Sequence, residues 1–153
     1  MRKLALVFQL LAAVMSIGAS MRYLTASEFM PYHAAVAGQG WAALSPGLQV
    51  IITGMLHIVG AGFLGCGIAL AALARPLWRT ERWAAWASLL VGVAVWAPTL
   101  AVTLMLKTAA PGAQPPTAPT IATLVLVIAA FIAALLSRSS ASSTLAAEAR
   151  QAG

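Results

Sequence analysis

Four runs of the chain, residues 4–21, 48–74, 84–106 and 120–137, contain no Lys, Arg, Asp or Glu. Charged positions fall only in the gaps and at the ends, and no run shows the period-two alternation of a half-polar strand. A helix needs about 20 apolar residues to cross a hydrocarbon layer roughly 30 Å thick. Within that layer every backbone N–H and C=O must be paired inside the protein, which leaves helices or a closed barrel. Unbroken apolarity selects helices. The pattern predicts an all-α integral membrane four-helix bundle, with spans at about 4–24, 47–74, 84–106 and 120–137.

Local signals refine the boundaries. Ser45 is a natural N-cap and Pro46 suits the first helical position. The run that follows, 27 residues from Leu48 to Ala74, would measure roughly 40 Å at 1.5 Å per residue, so it must tilt or project. Pro98 removes a backbone donor from the third span, which predicts a kink. Four prolines and a glycine in 109–119 predict an extended connection. After Ser137 the chain turns Ser- and Ala-rich, and residues 138–153 read as a polar, mobile cytoplasmic tail outside a 1–137 transmembrane domain.

Charge adds orientation. Arg2, Lys3, Arg75, Arg79, Arg82, Arg138 and Arg150 fall on one side of the spans, and only Arg22 and Lys107 on the other. Positive loops stay cytoplasmic, so both termini and the 75–83 loop are expected inside. Trp78, Trp83 and Trp86 cluster at that boundary, as interfacial indoles do. The formal charge of +6 is thereby explained without a nucleic-acid partner. Met1, Arg2 and Lys3 ahead of an apolar run also have the form of a signal peptide, with Gly18, Ala19 and Ser20 as a cleavage site. Its removal would leave three spans and break the charge asymmetry, so an uncleaved first span is expected.

Candidate chemistry concentrates on the outer side. Gly54, His57, Ala61, Gly65 and Ala69 share one face of the second span. Small residues let helices approach closely in lipid, so this face is expected to be a seam of the bundle, the wall of an apolar ligand cavity, or a docking face for a second copy or another membrane protein. His57, about nine residues into its run, lies roughly 14 Å from the outer end. An imidazole at that depth is a site candidate, with Ser16, Thr99 or Thr103 as its expected partners. Lone Cys66 reads as a small packing residue. Gln9 is the sole strongly polar side chain of the first span, and the absence of a carboxylate there argues against proton-coupled multidrug export.

The outer segment, residues 25–46, is longer than a connector requires. Thr25 and Glu28 have capping-box spacing, which predicts a short helix from Thr25. Phe29, Met30, Tyr32 and Trp41 suit the headgroup layer. Glu28 and His33 would meet if the helix bent at Pro31, and a lid placing Glu28, Tyr32 and His33 opposite His57 is the functional expectation. Two histidines, one such glutamate and no aspartate cannot assemble a recognised metal or haem site, so no cofactor is expected.

The segment Phe29, Met30, Pro31, Tyr32, His33 and Ala34, followed by Trp41 and the glycine-rich helix, resembles small uncharacterised bacterial four-span inner-membrane proteins. The loop with Arg79, Glu81, Arg82 and Trp83 fits the same pattern, so the resemblance covers about residues 20–105. It implies a bacterial inner-membrane location and no activity. The chain is thus expected to be a binding or accessory protein for an apolar or lipid-like molecule. The alternatives are a membrane enzyme using Glu28 or His33 as general acid or base on a lipid-phase substrate, or a structural subunit of a larger membrane complex.

Overall fold

A computed structural model describes the backbone of residues 1–151 and the side chains of residues 1–137. Five helices and one 3-10 turn follow in order: α1 (Arg2–Leu24), α2 (Pro31–Ala37), the turn at Trp41–Ala43, α3 (Pro46–Trp78), α4 (Arg82–Ala109) and α5 (Thr117–Gln151). Among the described residues there is no strand. The helices α1, α3, α4 and the Thr117–Ser137 part of α5 are each long and apolar enough to cross a membrane. The chain is an all-α, multi-pass membrane bundle. The backbone of α5 stays helical through Gln151, while the side chains of the expected tail lie outside the described residues.

The four long helices form a ring in which α1 packs on α3 and α5, and α4 packs on α5 and α3. The polarity of this bundle is inverted relative to a water-soluble one. On α1 the buried positions are Ala5, Gln9, Ala12, Ala13, Ser16 and Ser20, while Leu4, Val7, Leu11 and Val14 are exposed. Water would reverse that arrangement, and lipid favours it, because helices in lipid associate by close packing and hydrogen bonds.

Close packing is visible at three glycines. A Cβ on Gly67 would lie 2.6 Å from Ile17 Cγ1 and 3.0 Å from the Ala13 carbonyl oxygen. One on Gly60 would meet Leu24, and one on Gly92 would meet Val127. On α3 the buried positions Leu56, Gly60, Phe63, Gly67, Leu70, Ala74 and Leu77 alternate four and three apart, a heptad ladder. The expected seam lies elsewhere. Gly54, His57, Ala61 and Gly65 are exposed, on a face rotated roughly 100° or more around the helix from that ladder.

Hydrogen bonds tie diagonal helices through the core. Gln9 Nε2 donates to the Leu70 carbonyl at 2.9 Å and to Ser88 Oγ at 2.8 Å, joining α1, α3 and α4. Each such bond inside a membrane protein is worth about 0.6 kcal/mol on average, so Gln9 orders the bundle more than it stabilises it. Trp96 Nε1 donates to Ser16 Oγ at 3.1 Å, and that hydroxyl donates to the Ala12 carbonyl at 2.8 Å. Cys66 is buried beside Ser16, with Sγ 3.8 Å from Oγ.

Boundaries move outward from their expected places. Pro76 sits inside α3, which continues to Trp78, so the connection to α4 shrinks to Arg79–Glu81 with Thr80 at φ 60°. At this end Arg2 stacks 4.2 Å over the Trp78 ring, and Trp83 Nε1 donates to Glu81 at 2.6 Å. α4 runs unbroken through Pro98. α5 begins at Thr117, so Pro119 falls in its first turn, where the missing N–H has no intrahelical partner to lose.

Candidate functional site

The site is built at the end of the bundle that carries Arg22 and Lys107. α1 stops at Leu24, where Thr25 Oγ1 donates back to the Met21 carbonyl at 2.7 Å. Thr25 therefore closes a helix instead of opening one, which corrects the capping-box reading. The next helix begins at Pro31, with proline at its first position and Met30 as N-cap. The capping side chain is His33: its Nδ1 accepts the Met30 N–H at 3.2 Å. Gly38, at φ 68°, takes the left-handed conformation that ends the helix.

α2 is seated by apolar contacts. Phe29, Leu44 and Leu56 form a small buried cluster, with Tyr23, Ala34, Trp41 and Ile52 against it. Phe29 meets the Trp41 ring edge-on at a centroid distance of 5.2 Å. The expected Ser45 cap is present, its Oγ accepting the Leu48 N–H at 3.4 Å, and α2 also touches α4. The hydroxyls of Tyr23, on α1, and Tyr32, on α2, are 2.9 Å apart.

Beneath this pair lies a cavity of about 390 Å³ bounded by α1, α4 and α5. Its walls are Val14, Met15, Gly18 and Ala19 on one side, Trp96 and Thr99 on another, and Pro116, Pro119 and Thr120 on the third, with Phe63 behind. Tyr23 and Tyr32 border it, and Arg22 stands at its edge. A second hollow of about 270 Å³ opens between α3 and α4, lined by His33, Leu56, Val59, Pro98 and Val102 among others. Tyr23, Tyr32, Phe63 and Thr99 border both spaces, so the tyrosine pair stands between them. A side chain could grow at Gly18 without obstruction, because nothing lies within 4 Å of its Cβ position.

Electrostatics at the cover favour neutral groups. Burial, and then the hydrogen bond shared with Tyr23, push the Tyr32 phenol above its ordinary range. Burial alone lowers the pKa of His33, so its imidazole is neutral near pH 7. With Nδ1 accepting from Met30, the neutral ring carries its proton on Nε2. Arg22 borders the cavity and two shallower surface depressions, one shared with Glu28 and one with Gln114.

The expected site residues separate into two groups. Tyr32 and His33 border the half-open hollows between the helices. Glu28 is exposed and borders an outer depression that does not include His33. His57 is also exposed, and its Nε2 lies 3.3 Å from the Ala26 carbonyl. Its expected partners are occupied elsewhere: Ser16 with Trp96 and Ala12, Thr99 with the Val95 carbonyl, and Thr103 with the Leu100 carbonyl. The reason is register. α3 overhangs α1, meeting Leu24 only at Gly60, so His57 lies level with the end of α1 and not within the bundle. Gly54, Ala61 and Gly65 share its exposed face and line none of these hollows.

Arg22, Tyr23, Gly18 and Phe63 belong to the site and were not singled out for it by the sequence, while Thr99 was expected only as a partner of His57. Arg22 and Tyr23 at the end of an apolar run do read as boundary residues, and that is the only available signal. Among the described residues, no three His, Cys, Asp or Glu side chains converge in a way that would hold a metal ion. Compared with protein-family models, curated proteins and solved structures, the chain gives no match.

Proposed function

We propose that this protein is a binding or accessory protein of the bacterial inner membrane that holds an apolar or lipid-like molecule in the cavity beneath α2. The observation that carries this reading is the cavity itself, about 390 Å³, walled by apolar side chains and bordered by the Tyr23–Tyr32 pair. Its volume lies toward the lower end of the roughly 300–1,000 Å³ typical of small-molecule sites. A few polar hydroxyls against an apolar wall suit a ligand that is mostly hydrocarbon. Extraction of the protein purified in mild detergent is expected to yield one amphiphile in near-stoichiometric amount by mass spectrometry. Only detergent and the bulk lipid mixture in the extract would count against binding.

Orientation follows from charge. Arg2, Lys3, Arg75, Arg79 and Arg82 belong to one end of the ring, with Arg22 and Lys107 at the other. The positive-inside rule then supports cytoplasmic termini and a cavity in the outer-leaflet half. A reporter fused at the C-terminus is expected to be cytoplasmic, and a periplasmic reporter would reverse this assignment. The resemblance around residues 29–34 supports the bacterial inner membrane as the location.

A second reading has its own support. The face of α3 with Gly54, Ala61 and Gly65 is exposed to lipid and free of bulk. Such a face favours close docking of a second copy or another membrane protein. Glu28 and His33 border different hollows, so an acid–base enzyme would have to use one of them without the other.

A further inference from the structure

We infer that the ligand of the cavity is an anionic amphiphile with one acyl chain in the cavity and its carboxylate or phosphate head on Arg22. This rests on the proposed binding function and names the chemistry of its ligand. Three observations converge on it. Arg22 lies at the cavity's edge, where α1 ends, and also borders two outer depressions, so this cationic residue belongs to both the apolar interior and the outer surface. Among the described residues Arg22 makes no ion pair. Its neighbour Glu28 borders only the outer depression and does not line the cavity.

The remaining groups at the mouth complete the recognition. Tyr23 and Tyr32 hydroxyls border the cavity beside Arg22, and Gln114 shares the adjoining depression with Arg22 and Tyr32. Gln114 can donate a hydrogen bond to an anionic oxygen, and so can the one hydroxyl of the tyrosine pair whose proton is not used between them. Burial keeps the Tyr32 phenol protonated, so it adds no competing negative charge. Below this rim the walls offer Val14, Met15, Ala19, Phe63 and Trp96, which suit methylene groups. The space beside Gly18 is open. A cavity of about 390 Å³ suits a single chain better than a complete two-chain lipid.

The chain can come from a free fatty acid or from an anionic phospholipid that lends one of its two tails, and a quenching experiment distinguishes them. A variant retaining Trp96 as its sole tryptophan, with Trp41, Trp78, Trp83 and Trp86 changed to Phe, is reconstituted in nanodiscs of neutral lipid. It is titrated with dibromostearate, with the corresponding dibromo alcohol, and with phosphatidylglycerol carrying brominated chains. Saturable quenching of Trp96 by dibromostearate is expected. It should weaken about tenfold or more in Arg22→Gln, as for loss of a hydrogen bond to a charged group. Binding of the alcohol should be unchanged by that substitution. The same sensitivity with brominated phosphatidylglycerol alone would support the anionic assignment and identify the bilayer as the source. If acid and alcohol bind equally, or Arg22→Gln weakens both alike, the anionic head is refuted while the apolar cavity stands. Gly18→Leu adds a side chain to the cavity wall and should weaken every probe; if quenching of Trp96 by every probe is non-saturable in the wild-type background, the binding function itself falls.

Discussion

The Nδ1 atom of His33 accepts the Met30 N–H, a bond that only the neutral ring with its proton on Nε2 can make. Burial lowers the pKa of this imidazole, so the sign of its pH effect is set. Above about pH 6.5 the ring is neutral whether α2 is seated or released, and the cover has its full stability. As pH falls below that value the released segment takes up a proton that the seated one resists, and seating weakens until the lowered pKa is passed. Amide exchange protection in α2, corrected for intrinsic rates, is therefore expected to be flat above about pH 6.5 and to decline below it. His33→Gln keeps an acceptor at this position and cannot titrate, so its protection should be independent of pH. An unchanged slope in that variant would assign the effect to another group. Of the residues expected at an outer site, Tyr32 and His33 border the hollows, whereas Glu28 and His57 are exposed and line neither. Nothing in the spacing of the latter two reveals that Thr25 ends one helix and that α3 overhangs it.

At the scale of the element, α3 shows why a glycine-rich helix is ambiguous. Two small-residue stripes run along it, Gly60 with Gly67, and Gly54 with Ala61 and Gly65. Periodicity detects both and ranks neither. The seam proves to be the first, where the glycines complete the heptad ladder from Leu56 to Leu77. The second stripe, which carries His57, is turned away from α1 even at Gly65, where α1 still packs on neighbouring Gly67. Gly67→Leu is expected to force α1 and α3 apart, because the new Cβ meets backbone as well as side chain. The cost should be about 1–3 kcal/mol, as for other overpacked cores, read as a lower midpoint of unfolding in mixed detergent. Gly65→Leu should leave that midpoint within about 0.5 kcal/mol, as at an unconstrained surface site. If Gly65→Leu also abolishes crosslinking to a second copy or another membrane protein, the docking reading gains ground. Unchanged crosslinking would remove this face from consideration.

For the whole molecule, the number and approximate limits of the long helices are legible in the gaps between charges. Lipid imposes that zoning directly, whatever the packing. The cavity is not legible in the same way. It arises where Gly18 withholds a side chain from α1, where Pro116 and Pro119 shape the start of α5, and where Tyr32 reaches Tyr23 from a separate helix. No local pattern encodes a space bounded by parts so distant in sequence. Its functional meaning rests on whether something fills it. The direct measurement is native mass spectrometry of the wild-type protein and Gly18→Leu, released from identical mild-detergent preparations. Leucine at position 18 meets no atom within 4 Å of its Cβ and replaces a poor helix former, so the variant should fold with the wild-type helical content. A discrete bound mass is expected on the wild type, at lower occupancy on Gly18→Leu, whose side chain takes part of the cavity. Identical spectra for the two folded proteins would contradict this.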